Sequence, residues 1–228
     1  MNPGPPVPEG GSTFYWNCSR LVRTFATAYF QWQVMHPERV PATGPFILAA
    51  NHVSYGDPPL IGAAISRVVC YLARQSLFNN PRFARLIRSL NAVPVDRDGG
   101  GPGGLRTVLG LLNEGRGLLL FPEGTRSEDG RLLEGRSGIG LVVLRSGTPV
   151  VPVRTFGLGE LWGRGRTFPR PGRVVIKFGH PLRFERQHAE LATASRLRTK
   201  ELFDEVAVEV MDSIARLEPC RDIAQWPK

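Results

Sequence analysis

The sequence predicts an α/β fold: a single domain built on a mixed sheet flanked by helices, with an amphipathic helix at its N-terminus. Three observations carry that prediction. From Phe46 onward, short apolar runs of strand length alternate with segments of helical period. The chain has 228 residues, 42% of them apolar, enough for one well-buried core. Neither an internal repeat nor a linker-like stretch divides it.

Taken in order, residues 1–12 are rich in Pro and Gly and are expected to form a flexible N-terminus. The opening Met1–Pro8 lacks a basic stretch and an apolar stretch, so no signal peptide is expected. Residues 13–35 read as a helix rich in aromatics and carrying Arg20 and Arg23, with residues 13–36 forming one amphipathic unit. Phe14, Leu21, Phe25 and Trp32 fall near one face of it. Such a helix either docks on the core or lies in a bilayer interface, where aromatic rings and arginines suit the headgroup level; the two are compatible. Residues 37–228 form the remaining domain. Strands are expected at 46–50, 67–73, 92–96, 117–121, 149–155 and 173–178, and helices at 58–66, 81–90, 103–114, 137–146 and 189–217. The last helix carries Leu197, Phe203, Val206, Val210 and Ile214 on an apolar stripe and is expected to cap the fold. Residues 99–104, Gly-Gly-Gly-Pro-Gly-Gly, read as a flexible turn.

Charge narrows the range of partners. Lys and Arg total 29 against 20 Asp and Glu, a net +9, which favours anionic partners such as nucleic acid, phospholipid surfaces or phosphorylated substrates. Cys18, Cys70 and Cys220 are scattered and odd in number, with neither metal spacing nor a disulfide framework, so a reducing, cytosol-facing location is expected. No run reaches the ~18 uninterrupted apolar residues of a membrane span, so membrane contact is expected to be peripheral.

Four segments carry the chemistry. In Phe46-Ile-Leu-Ala-Ala-Asn-His-Val-Ser-Tyr-Gly-Asp-Pro58, an imidazole (His52) sits at a strand's carboxyl end and a carboxylate (Asp57) at the start of the next helix. A carboxylate that accepts from one imidazole nitrogen fixes the tautomer and leaves the other nitrogen to take a proton from a hydroxyl. Asp57 before Pro58 also reads as a helix N-cap, which accounts for Asp57 but not for His52 at that spacing. In Leu120-Phe-Pro-Glu-Gly-Thr-Arg-Ser127 a strand runs into a turn. There the backbone amides, the Thr125 hydroxyl and Arg126 converge on a phosphate, or the turn is a surface one with an Arg–Glu ion pair. In Ala92-Val-Pro-Val-Asp-Arg-Asp98, Arg97 is either a bidentate phosphate clamp or a surface residue neutralised by its flanking acids. Thr148-Pro-Val-Val-Pro-Val153 reads first as buried architecture, with an acyl-pocket wall as the alternative.

These segments, in this order, resemble the glycerolipid acyltransferase family, which contains the 1-acyl-glycerol-3-phosphate acyltransferases. The likeness rests on Asn51-His52-x4-Asp57, Val93-Pro-Val-Asp-Arg97, Phe121-Pro-Glu-Gly-Thr-Arg-Ser127 and Val150-Val-Pro-Val153, and spans roughly residues 40–180. The resemblance implies that His52 is the general base and Asp57 its orienting acid. His52 would deprotonate the hydroxyl of a lysolipid, which attacks the thioester of acyl-CoA or acyl-carrier protein without a covalent acyl-enzyme. It assigns substrate binding to Arg97, Glu123, Gly124 and Arg126, to which the reading of the turn adds Thr125, and no cofactor beyond the acyl donor. Many members carry Lys-x-Gly after the third block; here the place reads Arg136-Ser-Gly138, so Arg136 joins the expected substrate-binding set. Glu123 beside a phosphate is electrostatically odd, and orienting an arginine or accepting from an acceptor hydroxyl are the alternative roles.

The expected partners are therefore lysophosphatidic acid or another lysolipid, acyl-CoA or acyl-carrier protein, and an anionic membrane surface at the cytoplasmic face, with phosphatidic acid as product. An acyltransferase for a different lysolipid, such as a lyso-ornithine lipid, and a non-catalytic basic binder of membrane or nucleic acid are the competing readings. No helix-turn-helix, zinc-finger or RNA-binding aromatic motif supports nucleic acid. No Gly-x-Ser-x-Gly elbow, His-Glu-x-x-His or Walker loop occurs, so a serine nucleophile, a metal and a P-loop nucleotide site are not expected. The loop 157–172, with Arg164, Arg166, Arg170 and Trp162, is either solvated or a contact for headgroup or coenzyme phosphates.

Overall fold

A computed structural model describes residues 11–95 and 102–219. In chain order the elements are α1 (Thr13–Phe30), β1 (Gln33–Met35), β2 (Phe46–Ala50), α2 (Asp57–Ala64), β3 (Val69–Arg74), α3 (Pro81–Ser89), β4 (Ala92–Val95), α4 (Pro102–Asn113) and β5 (Gly117–Leu120). There follow α5 (Gly138–Ser146), β6 (Val150–Phe156), α6 (Leu158–Trp162), β7 (Val175–Phe178), α7 (Glu185–Leu191) and α8 (Arg196–Ala215). The seven strands form one sheet in the order β1-β7-β6-β2-β5-β3-β4. Only the β6–β7 pair is antiparallel; β2 lies between β5 and β6, parallel to both. The sheet is mixed and helix-flanked, as the alternating pattern predicts.

β2 reads Phe-Ile-Leu-Ala-Ala and is buried on both faces, as a central parallel strand must be. Its alternation divides the core into two layers. Phe46, Leu48 and Ala50 pack with Ala26 and Phe30 of α1 and with Leu60, Ile61 and Ala64 of α2. Ile47 and Ala49 pack on the other face with α4, α5 and the stripe Leu202, Val206, Val210 and Ile214 of α8. Val150, Val151 and Val153 of β6 are fully buried, so Val150–Val153 is architecture. Pro152 is tolerated inside the sheet because its carbonyl accepts from Gly179 on the β7 side, where the β6–β7 ladder ends at Val153. The missing N–H therefore faces the ladder's end rather than β2.

Three expectations are corrected. The N-terminal helix stops at Phe30, where Gln31 takes a left-handed turn (φ 43°), and Gln33–Met35 become an edge strand against β7. The amide of Gln33 donates to the carbonyl of Val174, and that of Val174 to Phe30, so sheet pairing outcompetes helix continuation. Trp32 consequently leaves the helical face and packs against the core. The helix expected at 189–217 is two helices, because the Ser195 hydroxyl caps a new start by accepting from the amide of Arg198. Part of the loop 157–172 is helical: α6 turns Trp162 against Gly56.

Candidate active site

β2 delivers His52 to the sheet's carboxyl edge, and the turn Val53–Gly56 leads into α2. Asp57 opens that helix one residue earlier than expected, with Gly56 as its N-cap. The carboxylate of Asp57 is fully buried and works through one oxygen. Its Oδ2 accepts from Nδ1 of His52 at 2.9 Å, from the amide of Val53 at 2.7 Å and from the amide of Ser54 at 2.8 Å. An oxygen already accepting two amides receives, rather than gives, the third proton. Nδ1 of His52 is therefore the protonated nitrogen and Nε2 the one with a free lone pair. The imidazole is 14% exposed, enough to meet a substrate while its donor side is buried. The ring stacks on Phe121 at 3.8 Å between centroids and 15° between planes, which fixes its second rotational freedom.

β5 brings the second block alongside. Ser127 donates its amide to the carbonyl of His52 at 2.8 Å, and the amide of His52 donates to Oε1 of Glu123 at 3.2 Å. Glu123 is thus clamped to the backbone of the base, and only 2% of it reaches solvent. Burial is the main cause, and the Asp57 carboxylate a lesser one, that push its pKa up to about 7. Through the bond from the His52 amide, Glu123 braces the turn that carries His52.

The remaining polar groups of the turn face outward. Gly124 has φ +71°, a backbone that favours glycine, and the mobile Arg136 guanidinium lies over it. Arg136 donates its amide to the Pro122 carbonyl, which ties the two segments together. Arg126 lies over the Tyr55 ring, 3.5 Å from guanidinium carbon to centroid, and Tyr55 belongs to the turn between His52 and Asp57. Thr125 and Arg136 are exposed. The structure thus gathers His52, Asp57, Glu123, Gly124, Thr125, Arg126 and Arg136 around two adjoining turns; Arg97 lies outside the described residues. No three His, Cys, Asp or Glu side chains converge as a metal ion would need among the described residues.

Several contributors have roles the sequence did not suggest. Asn51, 3% exposed, exchanges hydrogen bonds with the backbone of Thr155 and locks β2 to β6 beside His52. The hydroxyl of Ser54 donates to the Trp162 carbonyl at 2.5 Å, anchoring the turn to α6. An apolar groove of about 380 Å³ leads away from the turn, between α1, α2 and α3, with Val22, Tyr55, Pro59, Tyr71, Phe83 and Ile87 among its walls. A second apolar cavity, of about 330 Å³, lies against α4 and α5, with Phe121 and Arg136 among its walls. Of these only Asn51 is visible in the sequence, as part of the Asn51-His52 block; the Ser54 anchor and the grooves depend on how the turn and helices are placed.

Comparison with known proteins accords with this geometry. The acyltransferase family model matches residues 31–155. A 1-acyl-sn-glycerol-3-phosphate acyltransferase of Bacillus subtilis is 28% identical over 182 residues, 79% of this chain and 87% of the relative. One from Cocos nucifera is 28% identical over 140 residues, 60% of this chain; the match spans just under half of that relative, 46%. The crystal structure of the 1-acyl-sn-glycerophosphate acyltransferase from Thermotoga maritima superposes with a TM-score of 0.69 at 26% identity, covering 90% of this chain and 81% of the other. With the family model spanning more than half of the chain, and the His52–Asp57 pair lying inside the match, this protein belongs to the acyltransferase family and is an O-acyltransferase.

Proposed function

We propose that the enzyme transfers a fatty acyl group from a thioester donor, acyl-CoA or acyl-carrier protein, to the free hydroxyl of 1-acyl-glycerol-3-phosphate, giving phosphatidic acid. The observation that carries the reading is the 2.9 Å contact from Nδ1 of His52 to a buried carboxylate, which leaves Nε2 as the proton acceptor. Nε2 takes the hydroxyl proton as the oxygen attacks the thioester carbonyl. The C–O bond forms, the C–S bond breaks, and the departing thiolate takes the proton back from the imidazolium. Asp57 holds the ring and stabilises its charge. Arg126 and Arg136, flanking one turn, supply the cations for the acceptor's phosphate, with Thr125 as a hydroxyl donor beside them. The groove reached past Tyr55 and Pro59 receives an acyl chain.

One feature supports work at a lipid surface: α1 exposes Phe14, Leu21 and Phe25. No described helix is long and apolar enough to cross a membrane. The acceptor's own chain makes it a membrane component, so the enzyme meets it at the cytoplasmic face. The test is an acceptor panel with labelled acyl donor, run with both donor types and with His52→Ala. Transfer to 1-acyl-glycerol-3-phosphate, lost in His52→Ala, is the expected result. Full transfer by the variant refutes the base, and preference for an acceptor lacking phosphate refutes the arginine clamp.

A further inference from the structure

We infer that α3 is a second lipid-contacting helix, and that α1 and α3 together form one docking face for an anionic bilayer, with the apolar groove opening between them. The inference rests on the reading above that the enzyme works at a lipid surface; α3 was not part of that reading. α3 has the sequence Pro-Arg-Phe-Ala-Arg-Leu-Ile-Arg-Ser, and only Ala84 is buried. Phe83 is 42% and Leu86 44% exposed, and Leu77 just before the helix is also exposed. An apolar helix side left partly exposed next to other exposed apolar side chains marks a contact surface. Phe83 and Ile87 wall the groove on one side, and Cys18 and Val22 of α1 wall it on the other. On α1 the stripe Phe14, Leu21 and Phe25 adjoins that wall, with Leu21 70% exposed.

Charge identifies what covers this face. Residues 10–37 and 58–95, which contain the α1 and α3 walls, hold no Asp or Glu. Arg20, Arg74, Arg82, Arg85 and Arg88 are exposed on them. Arg23 and Arg67 are engaged by backbone carbonyls instead. The carboxylates lie elsewhere: α8 presents Glu201, Asp204, Glu205, Glu209 and Asp212 on its outer surface. α1 packs on the Leu48 face of the sheet and α8 on the Ile47 face, so the acid-free segments and the acid-rich helix lie on opposite sides of it, although α8 also carries Arg196, Arg198 and Lys200. Apolar side chains interleaved with arginines and free of acids along α1 and α3, with a net acidic α8 across the sheet, fit an anionic lipid surface and set the orientation on it. A protein partner would not need the groove to open at that face; a lipid acceptor entering laterally does.

The test is flotation of the full-length chain with vesicles of phosphatidylcholine alone or with added phosphatidylglycerol, comparing Leu86→Ser and Arg82→Glu/Arg85→Glu with Leu21→Glu. None of these residues walls the groove. The wild type is expected to float with anionic vesicles only. Each α3 variant should lower that partitioning roughly tenfold or more. Turnover of vesicle-embedded lysophosphatidate should fall with it, while turnover of a short-chain, monomeric acceptor is retained. If the α3 variants bind like the wild type while Leu21→Glu does not, lipid contact belongs to α1 alone and the inference fails with the membrane reading intact. A wild type that ignores both vesicle types removes the membrane reading itself. A wild type that sediments as a dimer and becomes monomeric in Leu86→Ser, with vesicle binding unaltered, makes this face a subunit contact and overturns the proposal.

Discussion

Three protons meet at one oxygen of Asp57, while its other oxygen, Oδ1, is buried without a partner among the described residues. An asparagine there can still offer its carbonyl to the two amides and the imidazole. It cannot balance the positive charge that the ring acquires when Nε2 takes the substrate proton. Asp57→Asn should therefore lower kcat by roughly 10²- to 10⁴-fold with little change in folding, measured by steady-state acyl transfer alongside a thermal melt. Glu123 makes a different prediction because it titrates. Its folded pKa, about 7, lies above its ordinary 4.5, chiefly through burial. The stability contributed by its protonated form is then complete below pH ~4.5 and is lost as pH rises through ~7. Glu123→Gln retains the acceptor for the His52 amide but cannot ionise. Relative to the wild type it should gain roughly 2 kcal/mol between pH 5 and 8.5, read from denaturant unfolding at both pH values. A parallel pH dependence in the two proteins would show that Glu123 does not carry the burden assigned to it.

Among the elements, α5 and α8 are joined where a Cβ on Gly140 would lie 2.0 Å from the carbonyl of Phe203. Backbone cannot retreat as a flexible side chain can, so Gly140→Ala should force the helices apart and destabilise the fold by roughly 2–3 kcal/mol, against the modest gain alanine brings to an exposed helix. A lowered unfolding midpoint at unchanged denaturant slope would establish it. The same contact shows why some elements were legible from sequence and others were not. β2 was read to the residue, because Phe46–Ala50 is apolar throughout and ends abruptly in Asn-His. α5 was legible from its apolar period and from Gly147, whose φ of +63° closes it. β1 is three residues held by pairing with β7, more than 140 positions away, and no local pattern announces such a partner. The break between α7 and α8 lies at Thr193-Ala-Ser195, where a capping serine interrupts a polar-apolar period that by itself reads as one long helix. At the site, His52, Asp57 and the Gly124 turn were visible because local spacing fixes them. Phe121 stacking on His52, Asn51 bridging to Thr155 and the backbone role of Glu123 arise only when β2, β5 and β6 lie side by side.

Over the whole molecule, the net charge of +9 is less informative than where the charge lies. The layer holding α1 and α3 is free of carboxylates across two long segments, while α8 concentrates them on the opposite face of the sheet. A molecule polarised in this way is attracted to an anionic surface and turned so that its basic layer faces it, an effect that mobile ions weaken. Raising ionic strength from about 20 mM to about 500 mM shortens the screening length from about 20 Å to about 4 Å. The arginines on the docking layer then lose most of their reach, whereas His52 and Asp57, held 2.9 Å apart with the carboxylate fully buried, are screened far less. Turnover of lysophosphatidate embedded in anionic vesicles should accordingly fall steeply over that range through a rise in apparent KM, with kcat nearly constant. Turnover of a monomeric short-chain acceptor should decline less, since only the local attraction between its phosphate and Arg126 and Arg136 is weakened. Equal salt sensitivity toward both acceptors would mean that charge acts at the substrate clamp alone, and that the polarity of the two layers has no part in bringing the enzyme to its lipid.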